Sequence, residues 1–124
     1  MDTYSNHISL SSYIPEKVQN DFINNCVVNS TANIFPEESG SATEVAMLKF
    51  INRCGINIKK TREDATIVQK MPFSSSRKRT STISMISGNV KIYVKGASEI
   101  ILDSCSHLQT FDGQKVSIDQ KLRE

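Results

Sequence analysis

The sequence predicts an α+β domain in which an antiparallel sheet built from hairpins carries helices packed on it. Three observations predict it. Apolar positions recur at helical period over residues 15–29 and again over 41–54. Extended runs rich in β-branched residues replace them from Ala65 onward, and turn signals stand between those runs at Ser87-Gly88-Asn89 and Asp112-Gly113.

The first helix is marked by Pro15, a residue tolerated at a first helical position, and by Val18, Phe22, Ile23, Cys26 and Val27 on one face. Residues 30–40 contain Pro36, Glu37, Glu38, Ser39 and Gly40 without period and read as a surface loop. Ser41 and Glu44 then have capping-box spacing ahead of Val45, Met47, Leu48, Phe50 and Ile51, and Gly55 closes the second helix as a C-terminal cap.

Ala65 to Met71 reads as a strand interrupted by Pro72, which places Phe73 at an edge or bend. Thr80 to Ile86 and the alternating run from Val90 form the next hairpin. In that run Val90, Ile92 and Val94 are expected on the buried face, with Lys95 projecting opposite them. Ala97-Ser98-Glu99 leads into a short helical pattern with Ile100, Ile101 and Leu102. A last hairpin pairs Leu108 to Phe111 with Gln114 to Val116, and Ser117-x-x-Gln120 resembles a helix start. The expected division is a flexible segment over residues 1–13 and one domain over 14–124 that is cut short on its C-terminal side.

A chain of 124 residues with 38% hydrophobic content suits one domain and not much more. A net charge of +2 is too small to attract nucleic acid or membranes in general, so clusters of charge outweigh the total. No apolar run nears the roughly 20 residues of a membrane span, and Met1 to Ser12 is polar, unlike a secretory signal. Cys26, Cys54 and Cys105 lack CxxC spacing and are expected to be reduced, buried thiols in a cytosolic setting, with no metal site. Asn29-Ser30-Thr31 has the glycosylation spacing, which in that setting is chance.

Two segments carry chemistry. Lys95 beside Gly96, at a strand-to-helix turn, offers an ammonium next to a bare backbone, which suits a flat anionic ligand such as a nucleotide. A turn-closing glycine beside a solvated lysine accounts for the same residues. Phe73, followed by Ser74-Ser75-Ser76-Arg77-Lys78-Arg79, offers a stacking face for a base and cations for phosphate or ribose oxygens. The basic run Arg77 to Arg79 before Thr80-Ser81 also fits a kinase target or a nucleic-acid contact in a regulatory interaction module.

Four segments taken together carry a resemblance: Val28-Asn29-Ser30 after an amphipathic helix, Gly40-x-x-Thr43-Glu44-x-Ala46-x-Leu48, Phe73-x-x-x-Arg77-Lys78-x-x-Ser81-Thr82, and Lys95-Gly96-Ala97-Ser98-Glu99-Ile100 ending at Cys105. From about Ile14 onward the chain resembles the nucleotide-binding (N) domain of P-type calcium-transporting ATPases, most closely the plasma-membrane type. The resemblance implies an ATP-binding module contacting nucleotide through Glu44, Phe73, Ser74, Arg77, Lys78, Lys95, Gly96 and Ala97. It implies that Glu44 accepts from the adenine amine, Phe73 stacks on the ring, Lys78 lies along the nucleotide and Lys95 lines the deep end of the pocket. Mg-ATP is the implied cofactor of the parent, and its phosphorylation domain, actuator domain and membrane helices are the implied partners. Nucleic acid is not among them, and the piece is expected to be a monomer on the cytosolic side of a membrane-embedded pump. The phosphorylation motif Asp-Lys-Thr-Gly occurs nowhere in the sequence, nor does an acidic magnesium-binding cluster, so this stretch by itself should not hydrolyse ATP. The family's phosphate-contacting arginine falls past Glu124, which sets the expected affinity near millimolar, or roughly 4 kcal/mol.

Overall fold

The computed structural model describes residues 14–86, 88–110, 112 and 114–118. Helices α1 (Glu16–Val27), α2 (Ala42–Arg53) and α3 (Ile58–Glu63) precede strands β1 (Thr66–Ser74), β2 (Arg79–Ile86) and β3 (Asn89–Gly96). Helix α4 (Ser98–Ser104) and strands β4 (His107–Gln109) and β5 (Lys115–Ser117) follow. The first three strands pair antiparallel in the order β1-β2-β3, and β4 pairs with β5 in a separate two-stranded ribbon. This is the expected α+β class, with the last hairpin standing apart from the main sheet. The expected flexible segment at 1–13 and the helix start towards Gln120 lie outside the described residues, as do Ser87, Phe111 and Gly113 of the two turns.

Both ends of α2 follow from local chemistry. Ser41 Oγ accepts from the Glu44 amide at 3.2 Å, and Gly55, just past the helix, adopts a φ of 83° that terminates it. Helix α3 has no counterpart in the sequence reading. It is short and charged, and it starts at Asn57, whose Oδ1 accepts from the Lys60 amide at 3.0 Å.

The apolar core lies between helices. Ile23, Cys26 and Val27 of α1 meet Val45, Leu48 and Ile51 of α2, with Ala32 from the connecting loop and Ile34, Met47, Ile56 and Ile58 around them. Leu48 and Ile51 are fully buried, so truncating either to alanine should cost about 2–5 kcal/mol. Helix α1 packs on both α2 and β3 and so joins the helical layer to the sheet. The seam between layers is polar. Asn29, fully buried, donates through Nδ2 to Asn25 Oδ1 at 2.9 Å and to the Thr80 carbonyl at 3.2 Å, and it accepts from Thr82 Oγ1 at 2.8 Å. A glycan could not reach this nitrogen.

That polar seam reverses one expectation. The face of β3 turned towards the helices carries Tyr93, which is buried, and Lys95, whereas Val90 and Ile92 are 62% and 63% exposed. Alternation located the two faces correctly, but hydrogen-bonding groups cover the sheet's inner side, so the apolar stripe faces outward. A second difference concerns Pro72. Strand β1 runs through it to Ser74 with a register irregularity between Met71 and Ser74, which is possible because β1 is an edge strand and leaves the missing amide donor unneeded. Of the cysteines only Cys26 is buried; Cys54 and Cys105 are half-buried, and none is in a disulfide. Among the described residues no helix is long and apolar enough to cross a membrane, and no group of His, Cys, Asp and Glu could hold a metal ion.

Candidate functional site

The start of α2, the loop after α1 and the end of β3 meet at one place. Capping leaves the Glu44 amide bonded to Ser41, but the Glu44 carboxylate does not return to the cap. It turns instead to the loop, where Oε2 accepts from Ser30 Oγ at 2.9 Å and from the Thr31 amide at 3.3 Å. Its other oxygen, Oε1, stands 3.9 Å from Lys95 Nζ. That separation is an ion pair without a hydrogen bond. The Lys95 ammonium is buried and has no hydrogen-bond partner among the described residues. Desolvation holds its pKa below the ordinary lysine value, opposed by the attraction of Glu44. Among the described residues the Lys95 ammonium thus bears the desolvation cost with no hydrogen bond in return, 3.9 Å from the Glu44 oxygen that attracts it.

The second part of the site is the β1–β2 turn. Ser74 starts it, its carbonyl accepting from the Lys78 amide at 2.7 Å and its Oγ from the Arg77 amide at 3.2 Å. Arg77 donates through one guanidinium nitrogen to the carbonyls of Met71 at 3.0 Å and Pro72 at 2.6 Å, so it braces the turn. Lys78 ends the turn in the left-handed region, with a φ of 55°. The ring of Phe73 is 62% exposed. Pro72 and Phe73 fall in the irregular stretch of β1 opposite Thr80, and Thr80 pairs with Lys95. Phe73 and Lys95 thus lie at the same end of the sheet, on its two outer strands.

Gly96 joins the two parts. A Cβ there would stand 2.5 Å from the Lys78 carbonyl oxygen and 2.9 Å from Arg79 Cβ, and the neighbouring Ala97 amide donates to that same carbonyl at 3.2 Å. The missing side chain therefore accommodates the protein's own backbone, and Gly96 and Ala97 hold Lys78 in place.

Sequence reasoning missed the supports of this site. Arg62 on α3 donates to the carbonyls of Val27 at 3.1 Å and Ala32 at 2.7 Å and to Asn33 Oδ1 at 2.7 Å, clamping the loop that holds Glu44. Lys70 on β1 donates to the Ser30 carbonyl at 2.9 Å, and burial lowers its pKa, with Arg62 adding to the effect. Cys26 lies close enough to Lys95 to feel its charge, although burial dominates and raises the thiol. The reading of Arg77 to Arg79 as a kinase target or nucleic-acid contact is not supported. Ser81 is 6% exposed in the central strand, and the Arg77 guanidinium is engaged with carbonyls of its own turn.

Residues 19–124 match the family described as P-type ATPase, cytoplasmic domain N. The chain belongs to that family. Calcium-transporting ATPase 5, plasma membrane-type, of rice (Oryza sativa subsp. japonica) is 37% identical to this N domain over 100 residues, which are 73% of the chain and 9% of the rice protein. Calcium-transporting ATPase PAT1 of Dictyostelium discoideum is 34% identical over 102 residues, 77% of the chain and 9% of that protein. A second rice relative, Calcium-transporting ATPase 10, plasma membrane-type, is 30% identical over 122 residues, 93% of the chain and 12% of its own length. This N domain thus spans between 9% and 12% of the length of these relatives.

Proposed function

We propose that this N domain binds ATP by its adenosine part and presents it to the phosphorylation domain of a P-type, calcium-transporting ATPase. The observation that carries the proposal is the buried Lys95 ammonium, without a hydrogen-bond partner among the described residues, 3.9 Å from Glu44 Oε1. In this reading the adenine amine donates to Glu44 Oε1 and a ring nitrogen accepts from Lys95. Phe73 stacks on the base, a contact worth about 1–3 kcal/mol. Lys78 follows the sugar and phosphates, with Ser74 and Arg77 shaping its turn and Gly96 and Ala97 fixing its backbone. Mg-ATP is the nucleotide form in the parent, whose actuator domain and membrane helices complete the cycle. The domain is a monomer on the cytosolic side of that membrane.

Binding by base and sugar alone is weak, roughly 4 kcal/mol for a millimolar ligand. A tethered domain tolerates this because the phosphorylation site sees a high effective concentration of the nucleotide it carries. The test is a heteronuclear NMR titration of the chain with ATP. Localised shifts are expected at Glu44, Lys78, Lys95 and the Ser30-Thr31 loop, with AMP and adenosine competing and Phe73→Ala weakening all of them. Wild-type protein without localised shifts at millimolar ATP would remove the assignment.

A further inference from the structure

We propose that Ser30 sets the base selectivity of this site, by deciding which oxygen of Glu44 meets the purine and holding it there. The inference rests on the adenine-nucleotide reading above.

Ser30 is 3% exposed, and each part of it is committed. Its hydroxyl accepts from the Ala32 amide at 3.1 Å, so its single proton is directed to Glu44 Oε2 at 2.9 Å. The adjoining Thr31 amide adds a second donor to that oxygen at 3.3 Å, and the Ser30 carbonyl is tied to β1 by Lys70 at 2.9 Å. One carboxylate oxygen is therefore occupied by the protein, and the other lies 3.9 Å from the Lys95 ammonium. An ionised carboxylate only accepts and an ammonium only donates. A 6-aminopurine edge matches the pair directly, its amine donating to Oε1 and the adjacent ring nitrogen accepting from Lys95. A 6-oxopurine edge reverses the pattern, with a carbonyl acceptor where the amine had been and an N1–H donor where the ring nitrogen had accepted. A carboxylate able to pivot could turn an oxygen to that N1–H. Pinned through Oε2, Glu44 cannot, and the oxo group is left facing an acceptor.

Ser30→Ala should therefore change selectivity more than affinity. Binding of ATP and of inosine triphosphate is measured by calorimetry on the wild-type chain, Ser30→Ala, Ser30→Thr and Ser30→Cys. The wild type is expected to prefer ATP, and Ser30→Ala to lower the ratio of the two dissociation constants roughly tenfold. Ser30→Thr, which keeps the hydroxyl, should restore it. Should Ser30→Ala not fold, Ser30→Cys gives the same readout, because its thiol is a weak donor of similar size. A variant that weakens both nucleotides equally, or keeps the wild-type ratio, overturns the role of Ser30 while leaving adenine binding in place. A wild-type chain that binds neither nucleotide overturns the adenine reading and this proposal with it.

Discussion

Replacing Asn29 with alanine should loosen the seam between helices and sheet, and its cost can be worked from the partners it would strand. Asn29 is fully buried, as is its donor partner Thr82, whose hydroxyl reaches Asn29 Oδ1 at 2.8 Å. Truncation leaves that hydroxyl without an acceptor and takes a donor from the Thr80 carbonyl, at 3.2 Å, and from the half-buried Asn25 Oδ1, at 2.9 Å. A buried polar group left unsatisfied costs about 1–3 kcal/mol. A carbonyl has a second lone pair, so the hydroxyl dominates and the sum falls near 3 kcal/mol, a large part of the roughly 5–15 kcal/mol that holds a domain folded. Urea denaturation followed by circular dichroism measures the loss as a lower midpoint at unchanged slope. Thr82→Val supplies the companion measurement. If the two side chains act as a pair, that change costs less in the Asn29→Ala background than alone, with a coupling above about 0.5 kcal/mol. A loss under about 1 kcal/mol, or strict additivity, would refute the view that a buried polar contact joins the two layers.

Three further outcomes follow from the geometry. Gly96→Ala should destabilise by about 1–3 kcal/mol, because its Cβ would meet the Lys78 carbonyl 2.5 Å away, and the Lys78 amide resonance should move more than that of Glu44. Arg62→Met should cost roughly 2 kcal/mol in a thermal or urea melt, since three acceptors lose their donor, and should shift the Ser30 and Thr31 amides; unshifted loop amides would sink it. Alkaline pH should act through Lys95. With the folded pKa below the unfolded one, the unfolded chain binds more protons in the window between them, so this group makes stability rise with pH there. Nucleotide binding should weaken over the same rise as the ammonium is lost, and Lys95→Met should show neither trend.

Elements whose signals are local were legible. Ser41, Glu44 and Gly55 mark α2 because caps depend on residues a few positions apart, and the Thr80 to Ile86 and Val90 strands pair as their shared turn dictates. The inner face of β3 was not legible, since Val90 and Ile92 alternate as a core would and nothing nearby reveals that Asn25 and Asn29 cover the other side. Among the candidate residues, Glu44 and Lys95 do come together, and Phe73 shares their end of the sheet. Arg62 and Lys70 escaped notice, and Ser30 was read only as part of a motif and not as a partner of Glu44, because their work is done across 30, 40 and 14 positions of chain, a range at which periodicity carries no information.

Lys78 is the residue whose torsion has the widest consequence. A side chain other than glycine in that left-handed well costs on the order of 1–2 kcal/mol, so asparagine or glycine in its place would relax the hairpin while deleting an ammonium. Efforts to harden the molecule against heat would select such exchanges first. Under the proposed function the sturdier versions would be poorer carriers of their cargo, since the least comfortable joint in the hairpin also bears the charge assigned there to the cargo.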